Sequence, residues 1–375
     1  MNRKLEKLAK RKQEKQEVWR DEGTKEDDDN FGSRNITSRT DGDPDRIPIF
    51  NILEQAGFDT VNDPRFTDEV LQSLPKWSEV KELYGEPKVM GLETCEYYRE
   101  SVDEAKWKLA VAGNFNSGTN FLHELLRKNC VSPPLWQVPW GKHYPAYFRE
   151  TNQVQKMKDV HYSNVMPVVM VRDPYTWMQS QCRQPYNARF DHNKSTCPNI
   201  IPYNTDIIDH PRYASMKYVP IHVTYSKEPH LKYKHPSLAH FWNNWNNEYV
   251  YNRTSEFPRL IVRMEDLVFH GETVVPQICA CAGLKTKGKF HHKRNVANWN
   301  NGIDKNPLHG AGLLQSIIRY GNPETKRTGY TPCQLWAAKN ILDNKLMNAF
   351  GYNYVEKFGD SPSDWADCFG YLKES

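Results

Sequence analysis

"VAGNFNSGTNFLHELL", residues 111–126, joins an apolar run to a glycine, a short polar turn and then apolar residues at helical spacing. The preceding "KWKLAVAG" reads as a buried strand that stops at Gly113, with no charged residue after Lys108. "SGTNFLHELLRKN" reads as a helix with Phe121, Leu122, Leu125 and Leu126 on one face. A strand, a tight glycine turn and a helix N-terminus make an anion site. Backbone N–H groups point inward there, and the helix dipole is positive. Gly113 and Gly118 have the G-x-x-x-x-G separation of a phosphate-binding loop, but Thr119 and Asn120 stand where such loops carry Lys and Ser/Thr. An ATPase or GTPase is disfavoured, because the β- and γ-phosphates would lack their cation. The loop therefore raises one question: what charge replaces the missing lysine?

Working outward, "VMPVVMVRDP" reads as a second buried strand stopped by Pro174, and "PRLIVRMEDLV" as a third. Helical spacing marks "SLAHFWNNWNNEYVYN" and "TPCQLWAAKNILDNKLMNAFGY", the latter started by Thr331 and Pro332 and stopped at Gly351. Short β-rich runs separated by helical stretches imply parallel βαβ units. The expected fold is α/β, a central parallel sheet with flanking helices. In such sheets ligands bind beyond the C-terminal ends of the strands. Arg172 falls at such an end, with Ser180 eight residues on in the following helix, so the pair suits a second phosphate.

The 375 residues include 38% hydrophobic and 12% aromatic side chains, enough for a packed core. A net charge of +4, from 50 basic and 46 acidic residues, is too even for a nucleic-acid-binding surface. No apolar run reaches the roughly 18 residues that span a bilayer, and the N-terminus lacks a signal-peptide core. The expected location is cytoplasmic, or the Golgi lumen if the N-terminus is incomplete. Residues 1–46 read as a charged tail, basic and then acidic, and 47–375 as one domain. Residues 184–236, rich in Pro, Tyr, His and Asn, read as an irregular insertion that serves as a lid. Of eight cysteines, Cys279 and Cys281 are too close to bridge each other, and Cys182 and Cys197 suit a pair only in an oxidising compartment. The reduced state is the expectation. No C-x-x-C or H-E-x-x-H spacing appears, so no metal is expected.

The loop and the second strand together resemble the sulfotransferase family, whose P-loop-like fold binds 3′-phosphoadenosine 5′-phosphosulfate as co-substrate. "FNSGTNF" looks like the family's P-K-S-G-T-x-[WF] loop. By this resemblance Ser117, Gly118, Thr119 and Asn120 wrap the 5′-phosphosulfate, and Phe121 takes the place of the residue that stacks on adenine. Arg172 and Ser180 match the motif that binds the 3′-phosphate. "VRMEDLV" is similar to the third strand, with Met264 in the aromatic position. The C-terminal "KRTGYTPCQLW" offers Lys326 and Arg327 for the 3′-phosphate. The resemblance covers roughly residues 105–355, with 184–258 unmatched.

Sulfuryl transfer needs an aligned donor, a base and positive charge on the leaving group. "PWGKHYPAYF" resembles the K-T-H-L-P segment of cytosolic sulfotransferases, which makes His143 the candidate base. His123, Glu124 and Glu150 are the competitors. Asn116 stands where the family has Lys or Arg; it can donate a hydrogen bond to a sulfuryl or bridging oxygen but brings no charge, so Lys142 is the candidate replacement cation. Trp136, Trp140, Tyr144, Tyr147 and Phe148 surround the candidate base in sequence and suit a sugar face, a phenol or core packing. The implied function is transfer to a carbohydrate or small-molecule hydroxyl. The alternatives are a kinase on a similar loop and a non-catalytic nucleotide-binding protein.

Overall fold

Val165–Val171 is buried at every position, as a strand covered on both faces must be. The computed structural model describes residues 43–189, 221–225, 232–252, 257–294 and 312–355. In chain order the described elements are α1 (Ile47–Gln55), α2 (Asp68–Ser73), α3 (Trp77–Tyr84), β1 (Val89–Met90), α4 (Cys95–Ser101), β2 (Lys108–Gly113), α5 (Thr119–Asn129), β3 (Val165–Val171), α6 (Pro174–Arg183), β4 (Ala188–Arg189), β5 (Ile221–Thr224), β6 (Lys232–His235), α7 (Leu238–Val250), β7 (Leu260–Arg263), α8 (Met264–Phe269), α9 (Gly271–Cys281), α10 (Leu313–Gly321), α11 (Pro323–Arg327), α12 (Pro332–Ile341) and α13 (Asn344–Phe350). The tail expected over 1–46 lies almost wholly outside the described residues.

The main sheet has the order β1-β7-β3-β2, with β2, β3 and β7 parallel and β1 antiparallel at one edge. The fold is thus mixed α/β with a mostly parallel sheet and flanking helices. Register aligns Gly113 with Met170 and Val171 with Arg263, so all three parallel strands end at the same edge. Beyond β2, residues 135–142 run alongside as an irregular edge. Leu135 and Val138 exchange backbone hydrogen bonds with β2, and Gly113 N–H donates to the Lys142 carbonyl at 2.9 Å. This edge pairing carries Lys142 and His143 to the strand end where the loop begins.

Three expectations are corrected. The third strand is only Leu260–Arg263, and Met264 begins a helix instead of continuing it. Glu265 and Asp266 in the first helical turn favour that switch, and Arg263 pairs with Asp266 at 2.6 Å. The single C-terminal helix is two, because Asp343 accepts from Lys345 N–H and Leu346 N–H and starts α13. The insertion is not wholly irregular. Its described parts form an antiparallel sheet β4-β5-β6, with Ile221 and Val223 buried and His222 and Thr224 more open. The rest of the proposed lid, Cys197 included, lies outside the described residues.

The described cysteines are also not reduced. Cys95 bridges Cys281 and Cys130 bridges Cys279, with Cα separations of 4.8 and 5.6 Å. Cys182 and Cys333 are disulfide-bonded as well, and no described cysteine is free. Cys279 and Cys281 do not bridge each other, as their spacing predicts. They clamp the end of α9 to α4 and to the C-terminus of α5. The far end of the helix that starts at the loop is therefore covalently fixed. Among the described residues no helix is long and apolar enough to cross a membrane.

Candidate functional site

The loop of residues 114–118 is held by its carbonyls. Ser117 Oγ donates to the Asn114 carbonyl, Trp177 Nε1 and Gln181 Nε2 to that of Phe115, and Arg172 Nη1 to that of Asn116. Two loop amides are spent within the turn, Phe115 N–H on Asn114 Oδ1 at 2.8 Å and Ser117 N–H on the Asn114 carbonyl at 3.2 Å. The amides of Asn116, Gly118 and Thr119 have no acceptor among the described residues. The cap residue Gly118 supplies no side chain to the first turn of α5 either. The buried Asn114 amide nitrogen is likewise without a partner. These unused N–H donors are what the loop can offer an anion.

Left-handed backbone makes this turn. Asn116 has φ 60° and Gly118 φ 91°. A Cβ at Gly118 would lie 2.8 Å from Met264 Sδ. Gly118→Ala is expected to cost roughly 1–3 kcal/mol from backbone strain alone, with the methionine clash adding to it. Thermal melting of the variant measures this. An unchanged melting temperature would show that the turn is not strained.

Positive charge reaches the first turn of α5 from residues 135–142, not from the loop. Lys142 is 6% exposed, and its Nζ lies 2.9 Å from Asn120 Oδ1 and over the Trp136 ring at 3.2 Å from the centroid. No carboxylate pairs with it among the described ion pairs. Desolvation by burial lowers its pKa to about 7. Asn116, the expected hydrogen-bond donor to the sulfuryl group, is turned away. Its Nδ2 donates to the Gln184 carbonyl at 2.7 Å, at the C-terminus of α6.

His143 sits beside Lys142. Its Nδ1 lies 2.7 Å from the Gly113 carbonyl, which can only accept, so Nδ1 carries the proton and Nε2 the lone pair. Burial first, with the Lys142 charge opposing protonation, lowers its pKa to about 4. At neutral pH it is an imidazole of fixed tautomer. Its ring packs on Phe115 at 4.7 Å, and aromatics continue outward through Tyr186, Tyr225, Tyr144 and Phe148. Tyr147 is half exposed, whereas Trp140 is fully buried and donates to Tyr249 Oη, so Trp140 is core. The competing bases are engaged. Glu124 contacts His123, Arg127 and Lys293, and these hold its carboxyl well below the usual range. His123 stands edge-on to Trp136, and Glu150 is an exposed partner of Arg149.

A second cationic pocket lies against α6. Arg172 donates to Thr176 Oγ1, the Thr176 carbonyl and the Asn116 carbonyl, which ties this pocket to the loop. Ser180 Oγ accepts from Arg183 Nη2 at 3.0 Å. Desolvation, then the charges of Arg319 and Arg172, lowers the Arg183 pKa to about 10, although the residue remains open to solvent. None of the described ion pairs involves Arg172, Arg183 or Arg319. Arg172 and Arg319 thus act on Arg183 as unpaired cations, a surplus of positive charge that favours an anion beside Arg183.

Sequence reasoning missed two members of this pocket. Arg183 was legible in principle, three residues after Ser180 and thus on one helix face. Arg319 comes from α10 and has no local signal. Lys326 is not in this pocket: it is buried and ion-paired with Asp173 at 2.8 Å. Arg327 pairs with Glu324. Phe121 is 1% exposed and packs against His292, so its ring faces the core and not an open nucleotide site. Among the described residues no His/Cys/Asp/Glu group is arranged to hold a metal. No family model, curated protein or solved structure matches the chain.

Proposed function

We propose that the chain is a sulfotransferase with a P-loop-like nucleotide site, and that 3′-phosphoadenosine 5′-phosphosulfate is its donor. One observation carries the reading: Arg172 donates to the Asn116 carbonyl and so ties the loop to α6, where Arg183 and Ser180 are hydrogen-bonded and Arg183 has no counter-charge. The donor has two anionic ends. Ser117, Gly118, Thr119 and Asn120 take the 5′-phosphosulfate, and Arg172, Ser180, Arg183 and Arg319 the 3′-phosphate.

In this reading each neighbouring side chain takes one role. His143 Nε2 takes the proton of an acceptor hydroxyl, whose oxygen forms the new bond to sulfur. The bond between sulfur and the bridging oxygen breaks, and its electron pair stays on the 5′-phosphate. Lys142 and the loop amides stabilise that growing charge. The aromatic side chains beyond Phe115 wall the acceptor side. The disulfides support maturation in an oxidising compartment over the cytosol.

Calorimetry with 3′-phosphoadenosine 5′-phosphate and with magnesium ATP tests the reading. Only the first ligand fills both pockets. It is expected to bind at least about tenfold more tightly, since each charge-assisted hydrogen bond to the 3′-phosphate contributes roughly 1.5–3 kcal/mol. Equal affinity, or a preference for ATP, would overturn it.

A further inference from the structure

Residues 284–294, "LKTKGKFHHKR", hold five lysines and arginines and no acidic residue. The segment lies along the C-terminal half of α5. Val131 N–H donates to the Lys285 carbonyl, Lys287 N–H to that of Asn129, and Asn129 bonds both ways with His291. Thr286 forms an antiparallel bridge with Cys130, so Lys285 and Lys287 share a face about 7 Å apart. Lys285, Lys287 and Lys289 are exposed, and none enters a described ion pair. Arg127 is exposed beside them, and its carbonyl accepts from Lys287 Nζ.

This ribbon is continuous with the candidate site. Lys293 and Arg127 both contact Glu124, Glu124 contacts His123, His123 packs on Trp136, and Trp136 covers Lys142. From Asn120 to Arg127 the helix advances only about 10 Å. A ligand lying on the ribbon therefore reaches the loop if it is an extended chain.

We propose that the ribbon binds an acidic polysaccharide and feeds it, as acceptor, toward His143. The claim that the bound chain is the acceptor rests on the sulfotransferase reading; the binding itself does not. Three observations select this partner. Repeated, regularly spaced lysines suit a polymer of carboxylates or sulfates. Trp136, 48% exposed between ribbon and site, offers a ring face to a sugar. Val131 and Trp136 are the large apolar side chains exposed along this face among the described residues, too few to anchor in a bilayer. The disulfides argue against a partner met in the cytosol, such as RNA.

The test uses the full chain and size-defined heparin fragments, with neutral dextran, single-stranded RNA and phosphatidylserine vesicles as comparisons. Heparin is expected to bind best. The triple change Lys285→Ser, Lys287→Ser, Lys289→Ser is expected to weaken it about tenfold or more, and added salt to weaken the parent chain. Binding of 3′-phosphoadenosine 5′-phosphate should be unchanged in that variant. As a measurement free of mutation, heparin should protect these three lysines from acetylation. Unchanged heparin affinity in the folded variant, absent protection, or tighter binding to RNA, vesicles or dextran would each overturn the proposal. A parent chain that binds heparin but not the nucleotide would keep the ribbon and sink the sulfotransferase reading.

Discussion

Replacing Arg183 by methionine is expected to weaken 3′-phosphoadenosine 5′-phosphate binding by about a hundredfold or more, without lowering the melting temperature of the ligand-free protein. The two halves of this expectation come from the same electrostatics. With no ligand, partial desolvation and the charges of Arg319 and Arg172 disfavour the Arg183 charge and lower its pKa, although the residue stays open to solvent. Methionine removes that repulsion and keeps most of the side chain's bulk. With the 3′-phosphate bound, the same three cations share an anion. Losing one removes one or two charge-assisted hydrogen bonds, each worth roughly 1.5–3 kcal/mol. Adenosine 5′-phosphosulfate, which lacks the 3′-phosphate, should lose little. Arg172 is the poorer probe, because its three hydrogen bonds also hold the loop and α6. Arg172→Ala is therefore expected to weaken both ligands. Calorimetry on each variant with both ligands, alongside melting curves, separates the roles. If Arg183→Met melts lower and binds the nucleotide unchanged, the arginine pocket is structural.

Much of this site was legible in the sequence where the signal is local. The run from Lys108 to Gly113 has to be a strand, and the apolar spacing after Gly118 has to be a helix, so the loop followed directly. The same holds for Val165–Val171 and Arg172. What escaped was set by tertiary context. Asn116 looked like a ligand-facing donor, but its left-handed backbone sends the amide to the open carbonyls at the end of α6. Phe121 looked like a stacking ring, but the face it shares with Leu122 and Leu125 is the one buried on the sheet. Lys326 looked like a phosphate ligand. The buried Asp173, which also caps α6, demands a cation, and Lys326 supplies it. The disulfides had no local signal either, because their partners lie 186 and 149 residues apart.

Lys142, proposed as the substitute for the missing loop lysine, should give itself away by a proton. Lys142 is buried at the N-terminus of α5, and desolvation lowers its pKa to about 7. An anion at the loop restores a counter-charge and so raises that pKa toward its ordinary value of about 10.4. The sign follows. Well below pH 7, at about pH 5, the lysine is protonated with or without ligand, and binding moves no proton at this group. Between about pH 7 and 10 the free protein holds it mostly neutral and the complex mostly charged. At pH 8 binding of 3′-phosphoadenosine 5′-phosphate should therefore take up close to one proton, and affinity should fall by up to about tenfold per unit as pH rises further. Calorimetry in two buffers of different ionisation enthalpy counts that proton. Lys142→Met should abolish the uptake at pH 8. It should also slow single-turnover sulfuryl transfer by roughly a hundredfold to a thousandfold, the range for removing one donor at a developing oxyanion. Adding Asn116→Lys to that variant should restore little, because position 116 directs its side chain to the Ser180 and Gln184 carbonyls and not to the unused loop amides. Proton uptake that persists in Lys142→Met would assign the titration to another group. With unchanged transfer as well, the amides of the loop would be left to hold the phosphosulfate alone.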